Sequence, residues 1–250
     1  MNTVYAYCRT TDDIVDREDE TIRDKEATLN DWEKELKLAL DDKSNISLLN
    51  ELNKQKEKFN IPTQPFFDLI KGMRMDLTKK RYATFEELKK YCYKVASTVG
   101  LMTIPIFGYK NKVTIEYAKN LGIALQLTNI IRDVKIDAEQ DRIYIPEEDL
   151  QKFNYTEKEL LKNIYNDNFI NLMKFQADRA KSFYKKANAN LVDEDKGALF
   201  AARAMQHIYE RLLQKIEAEN YNVFKKKIKV SKRNKIFISL GVWAKYKLVY

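Results

Sequence analysis

Leu121-Gly122-Ile123-Ala124-Leu125-Gln126-Leu127-Thr128-Asn129-Ile130-Ile131-Arg132-Asp133 decides the fold. Its first eight residues carry no charge, and polar groups then break in. It lies within a longer apolar run rich in small residues, 113–134, which reads as one helix. A helix that is apolar nearly all round must be buried, so the rest of the chain has to wrap it. Working outward, apolar residues recur at helical spacing over 4–24, 28–40, 46–59, 66–77, 169–189, 193–219 and 231–247. Thr84 ahead of Phe85-Glu86-Glu87 reads as a capping-box start to a helix running to about Met102, with Pro105 and Gly108 breaking it. The segment 135–146 reads as irregular, with two shorter helices after it. No stretch alternates with period two for long enough to be a strand. Gly and Pro number 6 and 4 in 250 residues, far below the roughly 12% of ordinary usage, so turns are few. The expected fold is all-α, as a single domain over 1–250 with no linker or internal repeat.

Composition removes several chemistries. The glycines are scattered, so neither a phosphate-cradling loop nor a dinucleotide fingerprint is present. His207 is the only histidine, which excludes Ser-His-Asp, Cys-His and multi-histidine zinc sites; it reads as a packing or surface residue. Cys8 and Cys92 are too few for a zinc site and read as buried, reduced thiols of a cytoplasmic protein. Trp32 and Trp243 read as packing residues. The net charge of +8 is modest and spread out, which does not call for nucleic acid. Its densest block, KKKIKVSKRNK at 225–235, reads as a solvated helix connection that could also meet an anionic membrane surface. No apolar run approaches the ~20 residues that span a bilayer, and no secretory leader is visible.

Two acidic ladders carry the chemistry. Asp12 and Asp16 are four residues apart and share a helix face; Asn129, Asp133 and Asp137 would form a second ladder if their helix persists. Like charges at this spacing repel, so a helix gains nothing from them alone. A hard divalent cation reverses the sign, because Mg²⁺ bridges one or two carboxylates to substrate phosphates. Arg9 and Arg132 sit beside the ladders and can grip phosphate oxygens in bidentate fashion. With a charge-free stretch below and Gln126, Asn129, Arg132 and Asp133 above, the second ladder describes a cavity greasy in its depth and ionic at its mouth. Such a cavity suits a long hydrocarbon with a diphosphate head. A single DxxxD arises by chance in a chain with 33% charged residues. Two ladders, each with an adjacent arginine, are what favour a metal–diphosphate site.

Four stretches resemble the squalene/phytoene synthase family, on its phytoene synthase branch. They are Tyr5-Ala6-Tyr7-Cys8-Arg9-Thr10-Thr11-Asp12-Asp13-Ile14-Val15-Asp16; Gly72-Met73-Arg74-Met75-Asp76-Leu77 with Arg81-Tyr82-Ala83-Thr84-Phe85; Tyr91 through Met102; and Leu121 through Asp137 with Arg142-Ile143-Tyr144-Ile145-Pro146. The resemblance covers essentially the whole chain. It implies an isoprenoid-synthase helical bundle around a central cavity and a head-to-head prenyltransferase. Two geranylgeranyl diphosphates would join through a cyclopropylcarbinyl diphosphate to give phytoene, for carotenoid biosynthesis. It implies Mg²⁺, with Mn²⁺ as substitute, and no NADPH. Asp12, Asp16, Asn129, Asp133 and Asp137 would handle metal and diphosphate. Arg9, Gln126, Asn129 and Arg132 would hold substrate. Tyr5 and Tyr91 would line the reacting carbons, with Tyr91 a proton handler; Tyr91, Arg132, Asp12 and Asp133 form the catalytic set. Asp76 either orients a phosphate-binding arginine or caps local structure. Because substrate and product are oils, peripheral contact with a membrane is expected.

Departures from the family pattern are Lys135 and Ile136 in place of Gly and Glu, and Lys94 and Ser97, the latter adding bulk where Gly is usual. The resemblance also implies a further helix ahead of the first aspartate motif. Its absence here suggests a truncated start, low solubility and low activity. Two other readings stay open: a squalene or dehydrosqualene synthase using two farnesyl diphosphates, and a non-catalytic assembly factor that keeps the fold. Oligomeric state is not legible.

Overall fold

The computed structural model describes residues 1–16 and 21–249, and among them all regular elements are helices. The one strand-like contact among these residues is an isolated bridge between Arg81 and Ile143. The helices are α1 (Asn2–Asp16), α2 (Ile22–Ala39), α3 (Ser47–Phe59), α4 (Gln64–Thr78), α5 (Phe85–Cys92), a π-helical turn (Tyr93–Ser97), α6 (Thr98–Phe107) and α7 (Thr114–Glu139). They continue with α8 (Glu147–Lys152), α9 (Glu157–Leu161), α10 (Asp167–Ala189), α11 (Asp193–Lys196), α12 (Phe200–Ala218) and α13 (Lys232–Val249). The all-α expectation holds.

As its apolar sequence requires, α7 is the axis. It packs against α10, the π turn, α6, α12 and α5. Tyr117, Ala124, Leu127 and Ile131 of α7 join Phe169, Leu172, Met173 and Ala177 of α10 in the larger core. A second core is built by α1 to α4, where Val4, Tyr7, Leu29, Leu49 and Phe66 are buried. Full burial of such side chains is worth about 1.5–3 kcal/mol each. Tyr7 also donates its hydroxyl to the Phe66 carbonyl at 2.9 Å, which fastens α1 to α4.

Several boundaries differ from the sequence reading. The helix expected over 4–24 ends at Asp16, and α2 starts anew after Thr21, whose Oγ1 accepts from the Asp24 N–H. Residues 17–20 lie outside the described residues. Thr84 caps α5 through the Glu87 N–H, but the Glu87 carboxylate accepts from Ala83 rather than completing a box. The helix expected from Thr84 to Met102 is interrupted by the π turn and then runs through Pro105, ending at Gly108 with φ 82°. The stretch 193–219 is divided into α11 and α12 by residues 197–199.

One boundary matters most for function. Residues 135–139, expected to be irregular, continue α7 to Glu139. Val134 and Ala138 are buried on its inner face, and the Lys135 ammonium donates to the Phe224 carbonyl at 3.2 Å. The other end of α7 is held by Asp195, which is fully buried. Its carboxylate accepts from the Lys110 N–H at 2.7 Å, the Asn111 N–H at 3.1 Å and the Thr114 hydroxyl. In the middle, Gly122 lies against the π turn. A Cβ there would stand 2.5 Å from both N and Cα of Ser97. The bulk that Ser97 adds is packed inside: the residue is fully buried and turns its hydroxyl to the Lys119 carbonyl at 2.6 Å.

Candidate active site

Because α7 is unbroken to Glu139, Asn129, Asp133 and Asp137 share one face with about 6 Å of rise between successive members. Asp12 and Asp16 lie on the last turns of α1. The two ladders are joined electrostatically through Arg142 and Asp76. Arg142 lies within electrostatic reach of Asp76 and Asp16, and Asp137 within reach of Arg142. Asp76 in turn feels Asp12. Thus the end of α1, the end of α4 and the end of α7 lie within electrostatic reach of one another, with Tyr144, just past α7, hydrogen-bonded to Asp76 of α4.

The carboxylates are in different electrostatic states. Burial and the charge of Asp16 push Asp12 up, against the pull of Arg9. Burial and the charge of Asp133 push Asp137 up to about 7. Burial also works against the Asp133 anion, but hydrogen bonds from Arg132 and Lys227 prevail and hold that carboxyl below its ordinary value. Arg132 reaches Asp133 with both Nε, at 2.9 Å, and Nη2; Lys227 Nζ is 2.9 Å from the same carboxylate. On the first ladder Arg9 lies 2.8 Å from Asp13 and 3.6 Å from Asp12. Both arginines expected to grip phosphate are therefore resting on acidic side chains.

The donor set suits a hard cation. Four carboxylates are joined by Asn129, whose Oδ1 is shut away from solvent and accepts no hydrogen bond, while its Nδ2 is 3.5 Å from Gln126 Oε1. A buried carbonyl oxygen without a donor is costly, and a cation ligand would satisfy it. Among the described residues no three His, Cys, Asp or Glu side chains already converge as a cage. Mg²⁺ does not need one, since it takes waters and substrate phosphate as its remaining ligands.

Below the ladders lies an apolar cavity of about 310 Å³. Its walls are α1 (Val4, Cys8), the π turn and α6 (Ala96, Gly100, Phe107), α7 (Leu121, Gly122, Leu125) and α12 (Ala202, Met205). Tyr5 lines it at the rim and is 71% exposed. Tyr91, in contrast, is buried away from this cavity. It stacks on Tyr144 with centroids 5.2 Å apart, and its hydroxyl lies 3.4 Å from the Tyr144 hydroxyl. Tyr144 donates to Asp76 at 3.0 Å. Burial pushes both phenols well above their ordinary values, and pushes Asp76 up to about 6.

Arg142, Tyr144 and Lys227 were not among the site residues expected from the sequence. Arg142 and Tyr144 stood inside a quoted motif. Lys227 stood in the basic block 225–235, and its link to Asp133 joins residues far apart in sequence. Among the departures, Lys135 braces the loop that carries Lys227, and Ile136 is 36% exposed, off the ladder face.

The state of Asp76 yields an expected result. An aspartate whose folded value lies above its unfolded value binds its proton more tightly when folded. Its contribution to stability is complete below about pH 4 and is lost as pH rises past about 6. Asp76→Asn keeps an acceptor for Tyr144, so the variant should gain melting temperature relative to wild type between about pH 4 and about pH 7. An offset that does not change with pH would show that Asp76 is not held protonated by burial.

A family model for squalene/phytoene synthase matches residues 1–234. The chain is 38% identical over 256 aligned positions to the 15-cis-phytoene synthase of Synechocystis sp., covering 96% of this chain and 74% of that protein. It is 37% identical to the chloroplastic phytoene synthase 1 of Solanum lycopersicum, covering 97% of this chain and 60% of that one. A crystal structure of a ligand-bound dehydrosqualene synthase superposes with a TM-score of 0.84 at 31% identity, covering 98% of this chain and 86% of that chain.

Proposed function

Since this chain belongs to the squalene/phytoene synthase family, we propose that it is a prenyltransferase that joins two geranylgeranyl diphosphates head to head into phytoene. The relatives named for phytoene synthesis support this product, and what supports the chemistry is an apolar cavity walled by α1 and α7, the two helices that carry the acidic ladders. We read residues 1–250 as one catalytic domain. Substrate enters with its tails among Leu121, Leu125 and Phe107 and its diphosphates toward the ladders. Asp12, Asp16, Asn129, Asp133 and Asp137 hold Mg²⁺, or Mn²⁺ in its place, which when bound offsets charge on a departing diphosphate. Arg9, Arg132 and Lys227 leave their carboxylates for phosphate oxygens, and Gln126 orients Asn129. The apolar walls keep water from the allylic cation, and the face of Tyr5 tolerates its charge. Tyr91 acts beside Tyr144 and Asp76, a chain of hydroxyl and carboxyl groups able to take up a proton near the ladders.

The test is product analysis with farnesyl and with geranylgeranyl diphosphate, each with and without NADPH. Phytoene from the longer substrate, formed without nicotinamide, is expected. Squalene that appears only with NADPH would establish the farnesyl reading, and no product from either would leave a non-catalytic role.

No helix among the described residues is long and apolar enough to cross a membrane. Peripheral contact through the basic segment 225–235 remains part of the proposal, with Lys227 excepted because it serves Asp133. Each exposed basic residue near an anionic surface is worth about 1 kcal/mol. Co-sedimentation should therefore favour anionic over neutral vesicles and weaken with salt; equal recovery on both would refute it.

A further inference from the structure

The face of α7 turned away from the apolar cavity carries a second concavity. A cleft of about 610 Å³ lies between α5, the π turn, α7 and α10. None of the ladder residues lines it. Its walls bring together five lysines from four elements: Lys89 and Lys90 of α5, Lys94 of the π turn, Lys119 of α7 and Lys186 of α10. Only two carboxylates, Glu86 and Glu116, share the cleft. They are taken by lysines of their own helices, Lys89 at 3.3 Å and Lys119 at 2.7 Å. Lys94 lies 3.6 Å from Asp68 outside the cleft, and Lys186 rests over the Phe183 ring at 4.6 Å. Lys90 is exposed, with no carboxylate at ion-pair distance among the described residues.

Five ammonium groups against Glu86, Glu116 and the neighbouring Asp68 leave the cleft net positive, and its walls focus that field. Solvated lysines normally splay apart; here four backbone elements aim them into one volume of the size that binds small ligands. Tyr93, Ile123 and Phe183 give the cleft an apolar back wall, so it is more than a patch of charge. The π turn, a costly irregularity concentrated at functional sites, supplies both Tyr93 and Lys94. We propose that this cleft binds a phosphorylated ligand of two or more negative charges, separate from the diphosphates of the reaction. The same phosphate chemistry is offered by a soluble polyphosphate and by the headgroup of an anionic lipid.

The experiment separates these sources and separates the cleft from the active site. Purified wild-type protein in EDTA, where metal-dependent diphosphate binding is suppressed, is titrated calorimetrically with inorganic tripolyphosphate. In parallel it is sedimented with phosphatidylcholine vesicles with and without phosphatidic acid. A Lys90→Gln/Lys94→Gln/Lys186→Gln variant should bind the productive probe about tenfold more weakly. Asp12→Asn should bind it as wild type does. Circular dichroism and melting temperature should match wild type in both, which keeps a folding defect from mimicking the result. A lysine-dependent signal with tripolyphosphate assigns a soluble ligand, and one seen only with phosphatidic acid assigns a lipid headgroup. No binding of either probe, or equal binding by the triple variant, overturns the site without touching the prenyltransferase reading.

Discussion

Asp12→Ala, Asp16→Ala, Asp133→Ala and Asp137→Ala are each expected to lower turnover at least about a hundredfold at saturating substrate and Mg²⁺. These carboxylates do not support their helices: at i, i+4 spacing they repel, and burial pushes Asp12 and Asp137 toward the neutral form. Their removal should therefore cost little stability, with one exception. Asp133 is the partner of both Arg132 and Lys227, and losing it leaves two half-buried cations without their acceptor. Asp133→Ala should melt earlier, by about 1–3 kcal/mol of stability, whereas Asp133→Asn retains an acceptor and should lose turnover with less change in melting. Steady-state kinetics beside thermal melts check both parts. Normal turnover in any single variant would remove that residue from the metal and diphosphate set.

Gly122→Ala should have the largest structural effect of the glycine-to-alanine changes in this chain. The added Cβ would overlap backbone N and Cα of Ser97, atoms that cannot rotate aside as a side-chain tip can. Either α7 or the π turn must move, at a cost of about 1–3 kcal/mol or more. The movement falls where Ala96, Gly100, Leu121 and Leu125 line the apolar cavity, so activity should fall with stability. Ser97→Gly in the same chain relaxes nothing, because the clash is with backbone, and should not rescue it. A fully stable and active Gly122→Ala would mean that α7 and the turn have slack here.

The central helix, the all-α class and the shared helix face within each ladder were legible because each rests on local periodicity or on residues within a turn or two of each other. The end of α7 was not. Val134-Lys135-Ile136-Asp137 looked like a helix giving way, yet Val134, Ala138 and the Lys135–Phe224 bond hold it in register. Tertiary contacts override weak local preference in that way. Pro105 misled for a similar reason: a proline normally ends a helix, but buried Leu101, Met102 and Ile104 hold α6 in place up to Gly108. The location of Tyr91 was also out of reach. Its sequence position says that it is helical and buried, but not that Tyr144 and Asp76 arrive from distant segments to stack and bond beneath it. Lys227 is the same case, since nothing near position 133 announces it.

Asp195 and Phe224 anchor the two ends of α7 from sequence distances of 81 to 89 residues. During synthesis on a ribosome, the helix bearing the second ladder is thus complete well before either anchor has been made. Its apolar sides must wait for α10, and its ends for the segments after it, before they are covered. Long-range closure of this kind slows folding and leaves apolar surface exposed to neighbouring chains meanwhile. Yield of active protein should then respond more to the rate of elongation and to chaperone supply than the stability of the finished bundle alone would suggest.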